Sequence, residues 1–447
     1  VSGARGLATA DTVLVSFDGG VRARARVQRP DRHRHLEAMG ADEPRIARGG
    51  GYSYAAASFG ADSRVLETRA FDRVLAFDAT TGLLRCEAGA TLAKVHSLVS
   101  PRGFCLPAQP GYPLITLGGC AAADVHGKNQ AKDGNFAARV RGMRLFHPRH
   151  GPLDLRPGDE AFELTLGGFG LTGQVLSLEI ELLRLPSRVV RLRRRRIGGA
   201  EETLALLDEE GARTPFLYTW QDFTAAGPGF GRGFLYAGDF ADDAATKTPT
   251  DGGYRPITAA TRGRPGPVFF NGLTTPLFNR AYSLVQSLGP AERTLPLFDF
   301  LFPVARKVAY FRLFGQRGFH EAQLLLPRAA FPAFLGELRS FLARRPTPIT
   351  LASCKLFAGK GRYLRFDGDG LCLALDFPRG HEADALLGFL DAAVPAHHGK
   401  PNVMKDSRLP AAVVRASYPE YEAFREGLRR FDPARLYRSE LSARLEL

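Results

Sequence analysis

Lysine, tryptophan, methionine and cysteine are all scarce in this 447-residue chain. Only nine of its 60 basic residues are Lys, and it holds one Trp, three Met and five Cys. The cysteines (Cys86, Cys105, Cys120, Cys354, Cys372) are odd in number and include no CxxC pair, so neither a zinc cluster nor a disulfide framework is expected, and no metal centre. No run approaches about 18 consecutive apolar residues, which excludes a spanning helix. From Val1 onward no charged-then-apolar leader is visible, and the expectation is a cytoplasmic protein whose membrane contact is peripheral at most. With 45% hydrophobic and 24% charged residues, the composition excludes a disordered, collagen-like or low-complexity chain. The length is roughly three times the commonest domain size, so more than one domain is expected.

Glycine (49 residues) and positive charge (+14) are what the chain has in excess. A basic field attracts phosphates or anionic membranes without distinguishing them. The basic run 188–196 (RVVRLRRRR) reads as the solvated face of a strand, or else as a patch for anionic lipid or a phosphate-bearing substrate. It lacks the interleaved aromatics of a nucleic-acid platform, so no nucleic acid is expected.

Short strand-like runs, 12–17 (TVLVSF), 73–77 (RVLAF) and 82–87 (GLLRCE), alternate with Gly-rich turns, and 91–99 (TLAKVHSLV) has helical spacing. The texture changes at Pro186 to long strand-like runs rich in Phe and Pro, continuing to about Lys400. The last stretch, 418–447, reads as helical, with Tyr421, Phe424, Leu428 and Phe431 on one face and Asp432-Pro433 as the stop. There is no internal repeat.

One familiar motif fails on its surroundings. Residues 168–173 (GFGLTG) match GxGxxG, but the apolar period of two over 175–183 predicts a strand where a dinucleotide fold needs a helix. Walker A, GxSxG and HExxH patterns are missing as well. Two segments carry chemistry. In 48–60 (RGGGYSYAAASFG), three successive glycines let backbone N–H groups turn toward a diphosphate. In 111–129 (GYPLITLGGCAAADVHGKN), a Gly pair and a run of small residues precede Asp124, His126 and Lys128, so close approach of a flat ligand is combined with polar groups.

Together with 166–173 (LGGFGLTG), MKDSR at 404–408, KLF at 355–357, DFP at 376–378 and DPxxxxxSxxxxRL at 432–445, these segments resemble flavin oxidoreductases of the vanillyl-alcohol-oxidase type, and within them the decaprenylphosphoryl-ribose oxidase family. The resemblance covers nearly the whole chain and is weakest between about 186 and 350. It implies an α+β fold: a two-part FAD-binding domain (residues 1–186 and 401–447) and a substrate domain on an antiparallel sheet (187–400). By the same resemblance, Gly49, Gly50, Gly51, Tyr52, Ser53 and Tyr54 line the FAD diphosphate side, and Gly111, Gly118, Gly119, Ala122, Ala123, Gly127 and Asn129 continue the cleft. Gly170, Thr172, Gly173 and Val175 complete it, Val175 near the adenine. His126 and Lys405 stand at the flavin as catalytic groups, and Lys128, Glu321, Gln323, Lys355, Cys372 and Ala374 face the substrate.

The departures bear on chemistry. Tyr54 stands where some relatives attach flavin to His, so FAD is expected to be non-covalent. Ala374 aligns with the family's pocket Cys, and Cys372 lies two residues earlier on the same strand face. Glu321 replaces a pocket Gln, and Leu301-Phe302 replace an aromatic Tyr-His pair. The implied reaction is hydride transfer from a secondary alcohol to flavin N5, with Lys405 or His126 as proton acceptor. The implied substrate is a ribofuranosyl-like glycosyl group on a phosphate or lipid carrier, and an NAD(P)-dependent reductase partner would complete an epimerisation. Oxidation of a small free polyol with oxygen, and flavin binding without turnover, are the alternatives.

Overall fold

In a computed structural model of the chain, residues 7–61, 63–242, 268–306 and 308–447 are described. Strands β1 (Thr9–Val15), β2 (Arg22–Gln28), β3 (Arg45–Arg48) and β4 (Arg64–Glu67) form a small sheet in the order β1-β2-β4-β3. A second, antiparallel sheet follows from β5 (Val74–Asp78), β6 (Leu83–Glu87), β7 (Val140–His147), β8 (Gly151–Leu155) and β9 (Gln174–Glu181), ordered β5-β6-β9-β7-β8. The run after GFGLTG is thus a strand, as its period of two requires. Helix α1 (Leu92–Val99) begins where Thr91 Oγ1 accepts the Lys94 N–H, and α2 (Leu117–Ala123) where Thr116 accepts that of Gly119.

The third sheet is eight-stranded and antiparallel. Its strands β10 (Val189–Ile197), β11 (Phe216–Asp222), β12 (Arg232–Ala241), β13 (Glu292–Pro296), β14 (Phe319–Leu326), β15 (Leu351–Phe357), β16 (Gly370–Pro378) and β17 (Lys400–Pro401) lie in the order β13-β10-β12-β11-β15-β16-β14-β17. Helix α3 (Thr274–Leu288) rests against the β11–β12 region, while α4 (Phe331–Arg344) and α5 (His381–Ala396) cover one face of the sheet. Ala322, Leu324 and Leu326 of β14, Ala352, Cys354 and Leu356 of β15, and Leu371, Leu373, Leu375 and Phe377 of β16 join the core beneath those helices. Because strand side chains alternate, Glu321, Gln323, Lys355, Cys372, Ala374 and Asp376 all belong to the opposite face. Farther along the sheet, Val190, Leu192, Phe216, Trp220 and Phe234 share a core with β6, β7, β9, α1 and α2.

The arginines of 188–196 lie on β10 and are mostly spoken for. Arg193 meets Asp239 at 3.0 Å, Arg195 meets Glu210 at 2.8 Å, and Arg194 donates to the Gly289 carbonyl at 2.9 Å. The run is therefore a paired polar strand face.

The end of the chain returns to its beginning. On α6 (Tyr421–Phe431), Tyr421, Phe424 and Leu428 enter a core with Ala25, Val27, Ile46, Val65 and Leu164. Asp432-Pro433 stops α6, and the helical reading of 418–447 resolves into α6 and a short α7 (Glu440–Arg444) with a Ser439/Ser442 capping box. Between them, Arg45 N–H donates to the Leu436 carbonyl at 2.7 Å and Arg438 N–H to that of Arg45 at 3.0 Å, so this segment extends β3 sideways. Phe424, fully buried between Phe169 and Tyr363, is the test of this union. Phe424→Ala is expected to cost about 3–5 kcal/mol, read as an earlier denaturation midpoint.

Candidate active site

Three glycine-rich segments converge beside β3. An ideal Cβ at Gly49 would lie 2.2 Å from Thr116 Oγ1, so the first loop touches the start of α2 where only glycine fits. The Gly167 and Phe169 N–H groups donate to the Ala121 and Ala122 carbonyls, both at 2.8 Å, which docks the third loop on the end of α2, and Gly170 sits against Ile46. Among the described residues, the backbone N–H groups of Gly49, Gly50, Gly51 and Ser53 donate no hydrogen bond, although the loop is half-buried or buried. Buried backbone donors are nearly always paired, so this row of N–H groups suits an anionic ligand such as a diphosphate.

A polar network occupies the open face of the third sheet. The Lys405 ammonium bonds both oxygens of Glu321, at 3.0 and 3.1 Å, and lies 4.0 Å from the centre of the Tyr54 ring. Gln323 Nε2 donates to Glu321 Oε1 at 2.6 Å, which fixes its amide. Its Oε1 then accepts from Asn402 Nδ2 at 2.8 Å and faces His126 Nε2 at 3.2 Å, so the proton of His126 is on Nε2. Asp376 is the cross-strand partner of Glu321 and accepts from the Tyr310 hydroxyl at 3.1 Å. Burial, and next the charge of Glu321, hold Asp376 well above its ordinary pKa. Burial, then the charges of Glu321 and Asp376, likewise raise Tyr54.

Desolvation, reinforced by Lys355, pulls His126 down to about 3. It is a neutral imidazole and a weak base. Lys355 is lowered chiefly by burial and has no hydrogen-bond or ion-pair partner among the described residues. Cys372, pushed up to about 12 by burial, is its cross-strand neighbour and stays a thiol. Ala374 stands opposite Gln323 and completes that strand face.

The two polar motifs are distributors, each residue going to a different element. In the first, Asp124 accepts from the Ala137 N–H at 2.8 Å and is raised to about 6 by burial. His126 alone reaches the network. Lys128 donates to the Phe300 and Leu301 carbonyls at 2.9 and 3.2 Å, and Asn129 to the Pro107 carbonyl and Asp133. In MKDSR, Lys405 takes Glu321, Ser407 Oγ donates to Asp18 at 2.5 Å, and Arg408 pairs with Asp391 of α5 at 2.6 and 3.0 Å while Asp406 clamps it at 2.9 Å.

Other expected residues lie farther from the network. Thr172 is fully buried against Thr165, Val175 is a core residue of β9, and a Cβ at Gly173 would strike the Phe146 carbonyl. Gly111 packs on Pro303 and Val304, Gly118 on Ala88, and Gly127 beside Asn129 and Gln109. Tyr52 packs edge-on against Tyr112, 4.5 Å between centroids. Sequence reasoning missed Asn402, Asp376 and Tyr310. Only Asp376 left a trace, through its alternation with Cys372 and Ala374.

The depressed pKa of His126 has a thermodynamic sign. An unfolded His takes up a proton below about 6.5, whereas His126 does so only near 3, so it makes the fold lose stability as pH falls through that window. Asp124, raised to about 6, acts in the opposite direction, so the readout is a difference between proteins. His126→Asn should gain stability relative to the wild type between about pH 7 and pH 5, measured by urea denaturation. An unchanged difference would remove the neutral imidazole.

An FAD binding domain family matches residues 37–151, the span holding both the triple glycine and DVHGKN. The chain is 28% identical over 417 residues to decaprenylphosphoryl-beta-D-ribose oxidase of Mycolicibacterium smegmatis, covering 90% of this chain and 89% of that protein. It is 24% identical over 400 residues to L-gulono-1,4-lactone dehydrogenase of Mycobacterium tuberculosis, 86% of each chain. Over 123 residues, 28% of this chain and 29% of that protein, it is 27% identical to an alditol oxidase of a Streptomyces species. The cradle of N–H groups without a partner among the described residues, the family match that contains it and the likeness along most of the chain agree: this protein is an FAD-linked oxidoreductase, similar over most of its length to decaprenylphosphoryl-beta-D-ribose oxidase.

Proposed function

We propose that the enzyme oxidises a secondary alcohol on a sugar, carried as a ribofuranosyl-like glycosyl group on a phosphate or lipid carrier, as the first half of an epimerisation. The observation that carries this reading is the Lys405–Glu321–Gln323–His126 network beside Lys355, which has no hydrogen-bond or ion-pair partner among the described residues. FAD, when bound, supplies the acceptor for the hydride on the alcohol carbon. Gly49, Gly50, Gly51 and Ser53 would hold its diphosphate, with Gly118, Gly119, Ala122, Ala123 and Gly170 along the cleft. Tyr54, packed under Lys405, offers no imidazole for attachment, so the cofactor is non-covalent.

In this reading Lys405 polarises the alcohol oxygen while Glu321, bonded to the same ammonium, receives the hydroxyl proton. Gln323 and Tyr54 hold that carboxylate, and His126 locks Gln323. Lys355 meets a phosphate: a desolvated ammonium without an acceptor gains most from an incoming anion. The decaprenylphosphoryl-beta-D-ribose named for one relative and the lactone named for another both support sugar-derived substrates.

Three measurements test this. Acid precipitation should release all flavin into the supernatant, and flavin retained in the pellet contradicts non-covalent binding. In an anaerobic screen of alcohols read at the flavin band, glycosyl phosphates should bleach the flavin and simple polyols should not. Lys405→Ala should keep FAD yet slow bleaching roughly 10²–10⁴-fold, and Glu321→Gln should slow it in the same direction, as for loss of acid–base groups. Wild-type rates in both variants refute the assignment.

A further inference from the structure

Helix α3 is amphipathic the wrong way round. Its polar and aromatic side faces the protein: Asn279 donates to Asp222 and to the Ile349 carbonyl, each at 3.0 Å, Gln286 accepts from the Tyr236 hydroxyl at 3.1 Å, and Tyr282 packs 4.5 Å from Trp220. Its outer side carries Leu277, Leu284, Val285 and Leu288, with Leu273 just before the helix, 57–79% exposed. These positions recur at helical spacing and form one stripe, and Val268 and Phe269 extend the exposed apolar surface at the N-terminal end. Soluble surfaces scatter single apolar side chains, and a continuous stripe marks a contact.

We propose that this stripe docks the enzyme on an anionic lipid bilayer. The charge on it selects that occupant. Exposed Arg280 sits on the stripe between Leu277 and Leu284, and the chain as a whole carries +14. Arginine beside aliphatic side chains at the headgroup level is the pattern of interfacial helices, which lie in the surface and gain from anionic lipid. Penetration is shallow, since no helix among the described residues is long and apolar enough to cross a membrane. A second copy is a poorer match. The helix presents a face about 22 Å by 10–12 Å, well short of the about 800 Å² per partner that a stable dimer buries. The inner side of α3 leads toward the active site, because Phe278 belongs to the aromatic cluster that contains Tyr54. A docked helix would place the site near the surface that holds lipid-linked molecules, but the docking itself is independent of which alcohol is oxidised.

The test is co-sedimentation of the full-length, FAD-loaded protein with vesicles of phosphatidylglycerol and phosphatidylcholine, or of phosphatidylcholine alone, without substrate. The wild type should sediment with the anionic vesicles and far less with the neutral ones. The triple variant Leu277→Glu, Leu284→Glu, Leu288→Glu should lose about tenfold or more of its partitioning. Arg280→Glu should weaken binding at low salt and matter less at high salt. All four side chains are exposed, so flavin content and melting temperature should stay at wild-type values; if the Glu triple loses flavin, the Gln triple at the same positions replaces it, with the same expected loss. A wild type that stays in the supernatant, or a folded triple variant that sediments like it, overturns the proposal. So does a wild-type dimer that the triple variant turns into a monomer, which would assign the stripe to a second copy.

Discussion

The ion pair between Lys405 and Glu321 is where the parts of this protein meet. Lys405 comes from the segment that follows the eight-stranded sheet, Glu321 from β14 within it, and the Tyr54 ring beneath the ammonium from the first glycine loop. Neither charge has an easy alternative: a carboxylate left alone next to Asp376, or an ammonium left over an aromatic ring without its anion, would be a desolvated charge. The pair therefore joins three separate parts of the chain at one point. Asp18 repeats the device at a distance, bonding Ser407 and Arg379 and so tying the β1–β2 turn to the same C-terminal segment and to the end of β16.

The sheet that carries the network works through strict alternation. Along β14, β15 and β16, Ala322, Leu324, Leu326, Ala352, Cys354, Leu356, Leu371, Leu373, Leu375 and Phe377 pack on α4 and α5, and the residues between include Glu321, Gln323, Lys355, Cys372, Ala374 and Asp376. The apolar face gives the polar face its precision. A ladder locked by a continuous core keeps Glu321 opposite Asp376 and Gln323 opposite Ala374, and a slip of one residue would bury the charges and expose the leucines.

Much of this was readable before any coordinates. The glycine loops, the strand after GFGLTG, the helix of TLAKVHSLV and the Asp432-Pro433 stop all follow from local pattern, because turn chemistry and periodicity act over a few residues. Glu321, Gln323, Lys355 and Lys405 were named through resemblance, and the structure brings them together. What local pattern could not supply is partnership. Asp124, His126 and Lys128 look like one cluster in sequence, yet in an irregular segment successive side chains diverge, and they end on Ala137, Gln323 and the Phe300 carbonyl. Asn402 and Tyr310 were invisible, and Asp376 was legible only as part of a motif, for the complementary reason: each acts through a partner tens of positions away that only the tertiary fold brings near.

The return of the chain to its start also sets an order of manufacture. The core beneath the first glycine loop is filled by Tyr418, Tyr421, Phe424, Leu428 and Tyr437, and β3 receives its outer neighbour only from residues 436–438. On a ribosome these are made after nearly everything they complete. A nascent chain that has already emitted all three glycine loops still has an open hydrophobic trough under the first of them, and no Lys405 to meet Glu321. The surface beneath the first glycine loop therefore closes only late in synthesis.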